Sequence, residues 1–420
     1  MDVAVSIKNL GGEIDAIASK SDVHRALIAA SLGTDECRLI MNTSSDDICA
    51  TVNCLRALGA EIKKDGTDLI VSPIKSAPKN AVLDCGESGS TIRFLMPVAA
   101  ALGVDSVFTG RGRLPERPQS CLLNALSVNG CKTSGDGEFP INISGCLQSG
   151  IFTLPGNVSS QYITGLLFAL PILSGDSEIR LTSRPESRPY IDMTVSTLKM
   201  FGISVAEKNN TFYIGGNQKY VSPKEIKIDG DWSNSAFFVA CGALGHMKIN
   251  GLSFNSVQGD KVCVDIAERM GVKTMRGDDF AEIEKGTLHG TEINASDCPD
   301  LVPVLAALSC FAGGKTEITG AERLRIKESD RLSATAELIK AAGGDVSERD
   351  DGLVIYGGKP LKSEFTVPSF NDHRLVMAAA LLSRNSMVTI KDAQAVNKSY
   401  PSFFEDIKKV GGEYYVVNDR

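Results

Sequence analysis

The stretch RIKESDRL (325–332) carries three cations and two carboxylates within eight residues. A charge run of this kind is ordinarily a solvated helix face. Its companions argue otherwise. SKSDVHR (19–25), ERP (116–118), SSQ (159–161), CPD (298–300), NDHR (371–374) and NKSYP (397–401) each precede or open an apolar, helix-period run. Capping accounts for Asp231, Ser233 and Asp330 at such positions. It does not account for Lys20, Arg25, Arg117, Lys327, Arg331, Arg374 and Lys398, which this reading puts in first turns, where a cation opposes the helix dipole. Unfavourable placement predicts that a bound anion supplies the missing charge, gripped by guanidinium forks and by free N–H groups at helix starts.

Such side chains need a scaffold that repeats. Six segments share an amphipathic helix, a glycine and a short alternating strand: LRALGAEI, ALSVNGCKT, LKMFGISV, AERMGVKT, IKAAGGDV and IKKVGGEYY. Their glycines, Gly59, Gly130, Gly202, Gly271, Gly343 and Gly411, recur at intervals of 68 to 72 residues. Each suits the left-handed position just past a helix end. Interleaved with them are six strongly apolar segments, beginning at Ser19, Gly86, Ser159, Asp231, Cys298 and Asn371, which predict interior helices. The period is long and every unit owns an interior helix, which favours two closed domains of three units over an open solenoid.

Composition bounds the chemistry. With 420 residues, 43% hydrophobic, 23% charged and a net charge of −7, the chain is globular and long enough for more than one core. It lacks the basic surface that nucleic acid requires. The eleven cysteines form no CxxC pair and predict reduced core thiols in a cytoplasmic protein. No signal peptide or membrane span is expected, since ITGLLFALPILSG is too short and contains Pro171. GGKT (313–316) lacks the earlier glycine of a phosphate loop, where Ser309 stands, and follows a helix instead of a strand. GESGS puts Ser90 where a nucleophile elbow needs glycine. With four histidines and no HExxH, neither a metal nor any other cofactor is predicted.

SKSxxxR (19–25), GxSGSTxRF (86–94), ERP, SSQ, SRPYIDMT (187–194), CPD, RIKESDRL, NDHR and NKSYP, nine motifs in order across the whole chain, resemble the enolpyruvyl transferase family, and within it the EPSP synthases. The resemblance implies an α/β fold of two similar domains, each of three βαβαββ repeats about a pseudo-threefold axis, with the active site in the interdomain cleft. It assigns residues 1–18 plus 230–420 to the domain carrying the acid–base groups. Residues 19–229 form the domain that binds mainly shikimate 3-phosphate. The implied reaction moves the carboxyvinyl group of phosphoenolpyruvate (PEP) to the 5-hydroxyl of shikimate 3-phosphate. Together these substrates carry roughly five or six negative charges, comparable to the seven cations singled out above.

Carried over motif by motif, the resemblance assigns Ser21, Arg25, Ser159, Ser160, Gln161, Ser187, Tyr190, Asp300 and Lys327 to shikimate 3-phosphate. Gly89, Arg117, Gln161, Arg331, Arg374 and Lys398 fall to PEP, and Lys20 touches both. Asp300 becomes the base for the attacking hydroxyl, aided by a neighbouring lysine. Glu328 becomes the proton donor to the PEP methylene, with a pKa raised by burial. Within RIKESDRL, Lys327, Glu328 and Arg331 face substrate and Asp330 orients a neighbour. His24 is given a packing or capping role, His373 either a PEP contact or a loop-shaping one, and Trp232 a packing role. Arg93 is left outside the binding set, as a candidate ion-pair partner of Asp231. Ile17, Ala18, Glu87, Ser90 and Phe94 depart from the family pattern, leaving the response to PEP mimics such as glyphosate open. A monomer with small-molecule partners only is expected. Two alternatives remain at this stage: the UDP-N-acetylglucosamine enolpyruvyl transferases, and a non-enzymatic anion-binding repeat scaffold.

Overall fold

Six amphipathic helices end on the six repeat glycines. The computed structural model describes residues 1–134 and 138–417. In it Gly59, Gly130, Gly202, Gly271, Gly343 and Gly411 all have φ between 75° and 105°. Each directly follows the C-cap residue of its helix, Asp46–Ala57, Ser120–Val128, Arg188–Met200, Val262–Arg269, Arg331–Ala341 or Phe403–Lys409. A side chain there would meet the steric cost of left-handed backbone, about 1–2 kcal/mol.

Chain contacts resolve two units, Met1–Ile17 with Asp229–Arg420, and Ala18–Ile228. Each holds three four-stranded sheets of one design. In every sheet the first strand pairs in parallel with the second, and two antiparallel pairings complete the order, as in Asn80–Asp84, Asp105–Thr109, Ile141–Gly145 and Cys131–Thr133. Three sheets are closed by strands distant in sequence, one of them by Gly11–Asp15, parallel to His246–Asn250. Glu225–Lys227 supplies the parallel edge beside Cys37–Ile40. Asp2–Ile7 lies between Met387–Lys391 and Gly412–Val417, antiparallel to both.

The interior helices of the Ala18–Ile228 unit are Lys20–Ser31, Gly89–Ala101 and Ser160–Ala169. Those of the other unit are Trp232–Leu244, Val302–Ser309 and His373–Leu382; in the last two every residue is buried. Each fully buried Leu, Val or Phe on them contributes about 1.5–3 kcal/mol relative to exposure. Packing is closest where Gly165 meets Arg93. Pro97 has no N–H for the Arg93 carbonyl, and a Cβ on Gly165 would come within 2.2 Å of that oxygen. Trp232 is wholly buried, edge-on to Phe254 and bonded through Nε1 to the Ser253 carbonyl at 3.1 Å, a packing residue as expected.

The cysteines are free. Cys146 is exposed, Cys49 and Cys121 are half-buried, and the other eight are buried. Among the described residues, no helix is long and apolar enough to cross a membrane.

Candidate active site

The expectation that all seven cations stand in first turns needs correction. Lys20, Arg331 and Arg374 do. Arg25 lies one turn further along its helix. Arg117, Lys327 and Lys398 sit at the ends of short 3-10 helices, Leu114–Glu116, Glu322–Ile326 and Ala393–Lys398. Three-residue periodicity over so few residues leaves no apolar signature, so these turns merge with the adjoining helices on paper. Capping also differs from expectation. Asp231 and Asp330 cap, accepting from Asn234 N at 2.7 Å and Ser333 N at 3.1 Å, but Ser233 instead donates to Asp260.

In the Met1–Ile17 and Asp229–Arg420 unit, Arg331 is the centre. Its guanidinium is 1% exposed and reaches three carboxylates: Asp372 through Nε at 2.8 Å, Asp300 through NH1 at 2.8 Å and Glu328 through NH2 at 2.7 Å. Asp372 is itself fully buried, accepts from Ser329 Oγ at 3.0 Å, and caps the His373–Leu382 helix through Arg374 N at 2.9 Å. Arg374 lies 3.7 Å from Asp300 and donates to Asn234 Oδ1 at 3.3 Å. Lys398 donates to the Asn371 carbonyl at 2.6 Å, so NKSYP and NDHR meet. In RIKESDRL, Arg325 turns away to Asp330, at 3.2 Å, and to Glu348, at 2.7 Å.

These charges retune one another. Burial pushes Asp300 up, but Lys327, Arg331 and Arg374 outweigh it and hold its carboxyl well below the usual range. Desolvation pushes Lys327 down to about 8, against the pull of Asp300 and Glu328. Burial, reinforced by Asp300, lifts Asp260 to about 7.

The Ala18–Ile228 unit brings its own candidates into two groups. In the first, Lys20 Nζ pairs with Asp47 at 2.7 Å. Arg25, 2% exposed, donates to Thr194 Oγ1 at 2.9 Å and to the carbonyls of Ser21 and Tyr190, both at 2.7 Å. Its burial lowers its pKa to about 10, and its guanidinium stands 5.4 Å over Phe94. Ser187 begins the helix bearing Tyr190 in left-handed backbone, φ 51°, a strained conformation for a non-glycine residue.

In the second group, Ser159 caps the helix that carries Ser160 and Gln161, accepting from Gln161 N at 3.3 Å. Gln161 donates to Ser90 Oγ at 2.9 Å and accepts from Arg93 NH1 at 2.7 Å, so one departure from the family motif holds a predicted binding residue. Arg93 also reaches Gln119 at 3.2 Å and the Pro118 carbonyl at 3.0 Å. Gly89 opens its helix beneath the Arg117 guanidinium, and a Cβ there would stand 2.6 Å from NH1. Glu87 packs against Gly112, where a Cβ would meet its carboxylate at 2.3 Å.

Sequence reasoning passed over four partners that shape these groups: Asp47, Thr194, Asp372 and Asn234. Only Asp372 left a signal, as the acid before two basic residues at a predicted helix start.

A fold of two units, each of three four-stranded sheets of one design, is the enolpyruvyl transferase architecture. An EPSP synthase structure from Acinetobacter baumannii matches with a TM-score of 0.81 at 24% identity, covering 99% of this chain and 100% of that one. The enolpyruvyl transferase NikO from Streptomyces tendae matches at 0.77 and 17% identity, covering 99% and 98%. The family described as EPSP synthase (3-phosphoshikimate 1-carboxyvinyltransferase) matches residues 5–407, and the chain belongs to it. Relatives named 3-phosphoshikimate 1-carboxyvinyltransferase include one from Clostridium novyi, 42% identical over 98% of both chains. Another, from Clostridium botulinum, is 41% identical over 97% of both.

Proposed function

We propose that this protein transfers the carboxyvinyl group of PEP to the 5-hydroxyl of shikimate 3-phosphate through a tetrahedral intermediate. The products are 5-enolpyruvylshikimate 3-phosphate and phosphate. The observation that carries the mechanism is the buried Arg331, shared by Asp300, Glu328 and Asp372 with Lys327 and Arg374 alongside. A passive anion-binding scaffold has no use for carboxylates in such a cluster, because they repel the ligand.

In this reading Ser21, Arg25, Ser159, Ser160, Gln161, Ser187, Tyr190 and Lys327 hold shikimate 3-phosphate. Gly89, Gln161, Arg117, Arg331, Arg374 and Lys398 hold PEP, and Lys20 serves both. Arriving PEP draws Arg331 and Arg374 toward its own charges. That weakens their hold on Asp300 and Glu328, so both carboxyls become more basic when there is a proton to move. Asp300 then takes the 5-hydroxyl proton, with Lys327, poised at about 8, able to share it. Glu328 delivers a proton to the PEP methylene and helps remove one as the intermediate collapses. Ser-Ser-Gln and SRPYID favour the phosphorylated cyclohexene over a UDP-sugar acceptor. Action as a cytoplasmic monomer is part of the same proposal.

The test is release of inorganic phosphate in a coupled assay without added metal. It is expected only when PEP and shikimate 3-phosphate are both present. Turnover with UDP-N-acetylglucosamine instead would move the protein to the neighbouring branch, and binding without turnover would leave the scaffold reading.

A further inference from the structure

We infer that His24 is a positioning residue, tying the helix Lys20–Ser31 to the start of the helix Gly89–Ala101 through a one-way chain of hydroxyls. His24 is 1% exposed, and its Nδ1 lies 2.7 Å from Thr51 Oγ1. Thr51 Oγ1 is 2.7 Å from Thr91 Oγ1, which donates to Ser88 Oγ at 2.7 Å. Thr51 and Thr91 are both fully buried and Ser88 is 2% exposed.

Counting protons fixes the direction. A hydroxyl has one hydrogen, and that of Thr91 is committed to Ser88. Thr51 must therefore donate to Thr91, and Nδ1 of His24 must donate to Thr51. The imidazole is consequently the Nδ1–H tautomer with a bare Nε2. That agrees with Nε2, which is buried and has no hydrogen-bond partner. A buried N–H there would go unsatisfied, whereas an imidazole lone pair costs less to desolvate. The neutral form is further favoured by burial and by the charges of Lys20 and Arg25, which hold the imidazole well below its ordinary pKa. The ring lies edge-on to Phe94, the same ring that Arg25 covers.

The chain ends where it matters for binding. Ser88 is the N-cap that accepts from Thr91 N at 3.2 Å, and the next residue, Gly89, lies beneath the Arg117 guanidinium. Losing the Nδ1 donor frees the Thr51 hydroxyl to rotate, removes the order of the chain and loosens the first turn at Gly89. The consequence for PEP rests on the proposed function. The tautomer does not.

Nitrogen NMR of the protein labelled on its histidine rings, with His24→Asn used for assignment, should show His24 protonated at Nδ1 and bare at Nε2. In the kinetic arm, His24→Leu should raise KM for PEP about tenfold, the size of one buried hydrogen bond, with kcat within about twofold. His24→Asn can place an amide N–H near the Nδ1 position and should return KM to within about twofold of the parent. An Nε2–H tautomer, an unchanged KM in folded His24→Leu, or an asparagine variant no better than leucine would each overturn the inference. If His24→Leu does not fold, the tautomer and the asparagine variant still decide. A parent without turnover would refute the functional reading, while the tautomer would continue to test the hydroxyl chain.

Discussion

Replacing Arg331 with leucine removes one cation from among three carboxylates. Arg331 is 1% exposed, Asp372 is fully buried, and Asp300 and Glu328 are about a fifth exposed. Truncating one partner of a buried ion pair costs about 3–5 kcal/mol, because the charge left behind is neither solvated nor paired. For a unit of roughly 200 residues, each kcal/mol moves Tm by about 2–4 °C, so the variant should melt about 6–20 °C below the parent near neutral pH. The loss should depend on pH with a definite sign. In the parent, Asp300 is held below its unfolded value, so its contribution is present above about pH 4 and is lost as pH falls through the lower folded value. In the variant, Asp300 has lost one of the cations that hold its carboxyl down, so it has less stability to lose on acidification. Thermal unfolding followed by near-ultraviolet circular dichroism should therefore show a smaller parent–variant gap at about pH 3 than at about pH 7. A gap under about 2 °C at the higher pH, or one that widens toward acid, would refute the account of Arg331 as the counter-ion of this cluster.

Asp300→Asn and Glu328→Gln should each lower kcat by about 10²-fold or more with far smaller changes in KM, the pattern of groups that move protons, checked by steady-state kinetics in both substrates. A variant that keeps a near-normal kcat removes its residue from the mechanism. Gly89→Ala places a methyl 2.6 Å from Arg117 NH1, so Arg117 must move. KM for PEP should rise about tenfold while Tm shifts by only a few degrees, because helix φ at that position suits alanine.

How much of this was legible from the sequence depends on the signal each feature leaves. The repeat glycines were legible because only one backbone conformation ends those helices, and it selects one residue type. The interior helices announced themselves by lacking a polar face beyond their first turns. The cations of RIKESDRL and NDHR could be flagged as a group but not sorted. Nothing in the order of residues says that Arg325 turns to Asp330 and Glu348 while Arg331 turns to Asp300 and Asp372. Asp372 was missed because helix capping explains an aspartate at that position without any further duty. Arg93 falls outside the binding set on paper, yet it holds Gln161 across two helices that pack closely at Gly165. The 3-10 turns escaped for want of length.

The pairing of Asp2–Ile7 with Met387–Lys391, Val3 opposite Ile390, has a consequence for biogenesis. Asp2–Ile7 leaves the ribosome long before either of the strands that flank it has been made. The intervening stretch, Ala18–Ile228, is continuous and draws its edge strand Glu225–Lys227 back to Cys37–Ile40, so it can finish folding while synthesis continues. Loss of Gly412–Val417 would strip one edge of that amino-terminal strand and leave its backbone amides open to a neighbouring chain. Termination ahead of Gly412 should thus be felt at Asp2–Ile7, far away in sequence, as an ordered half tethered to a sticky, unmated ribbon.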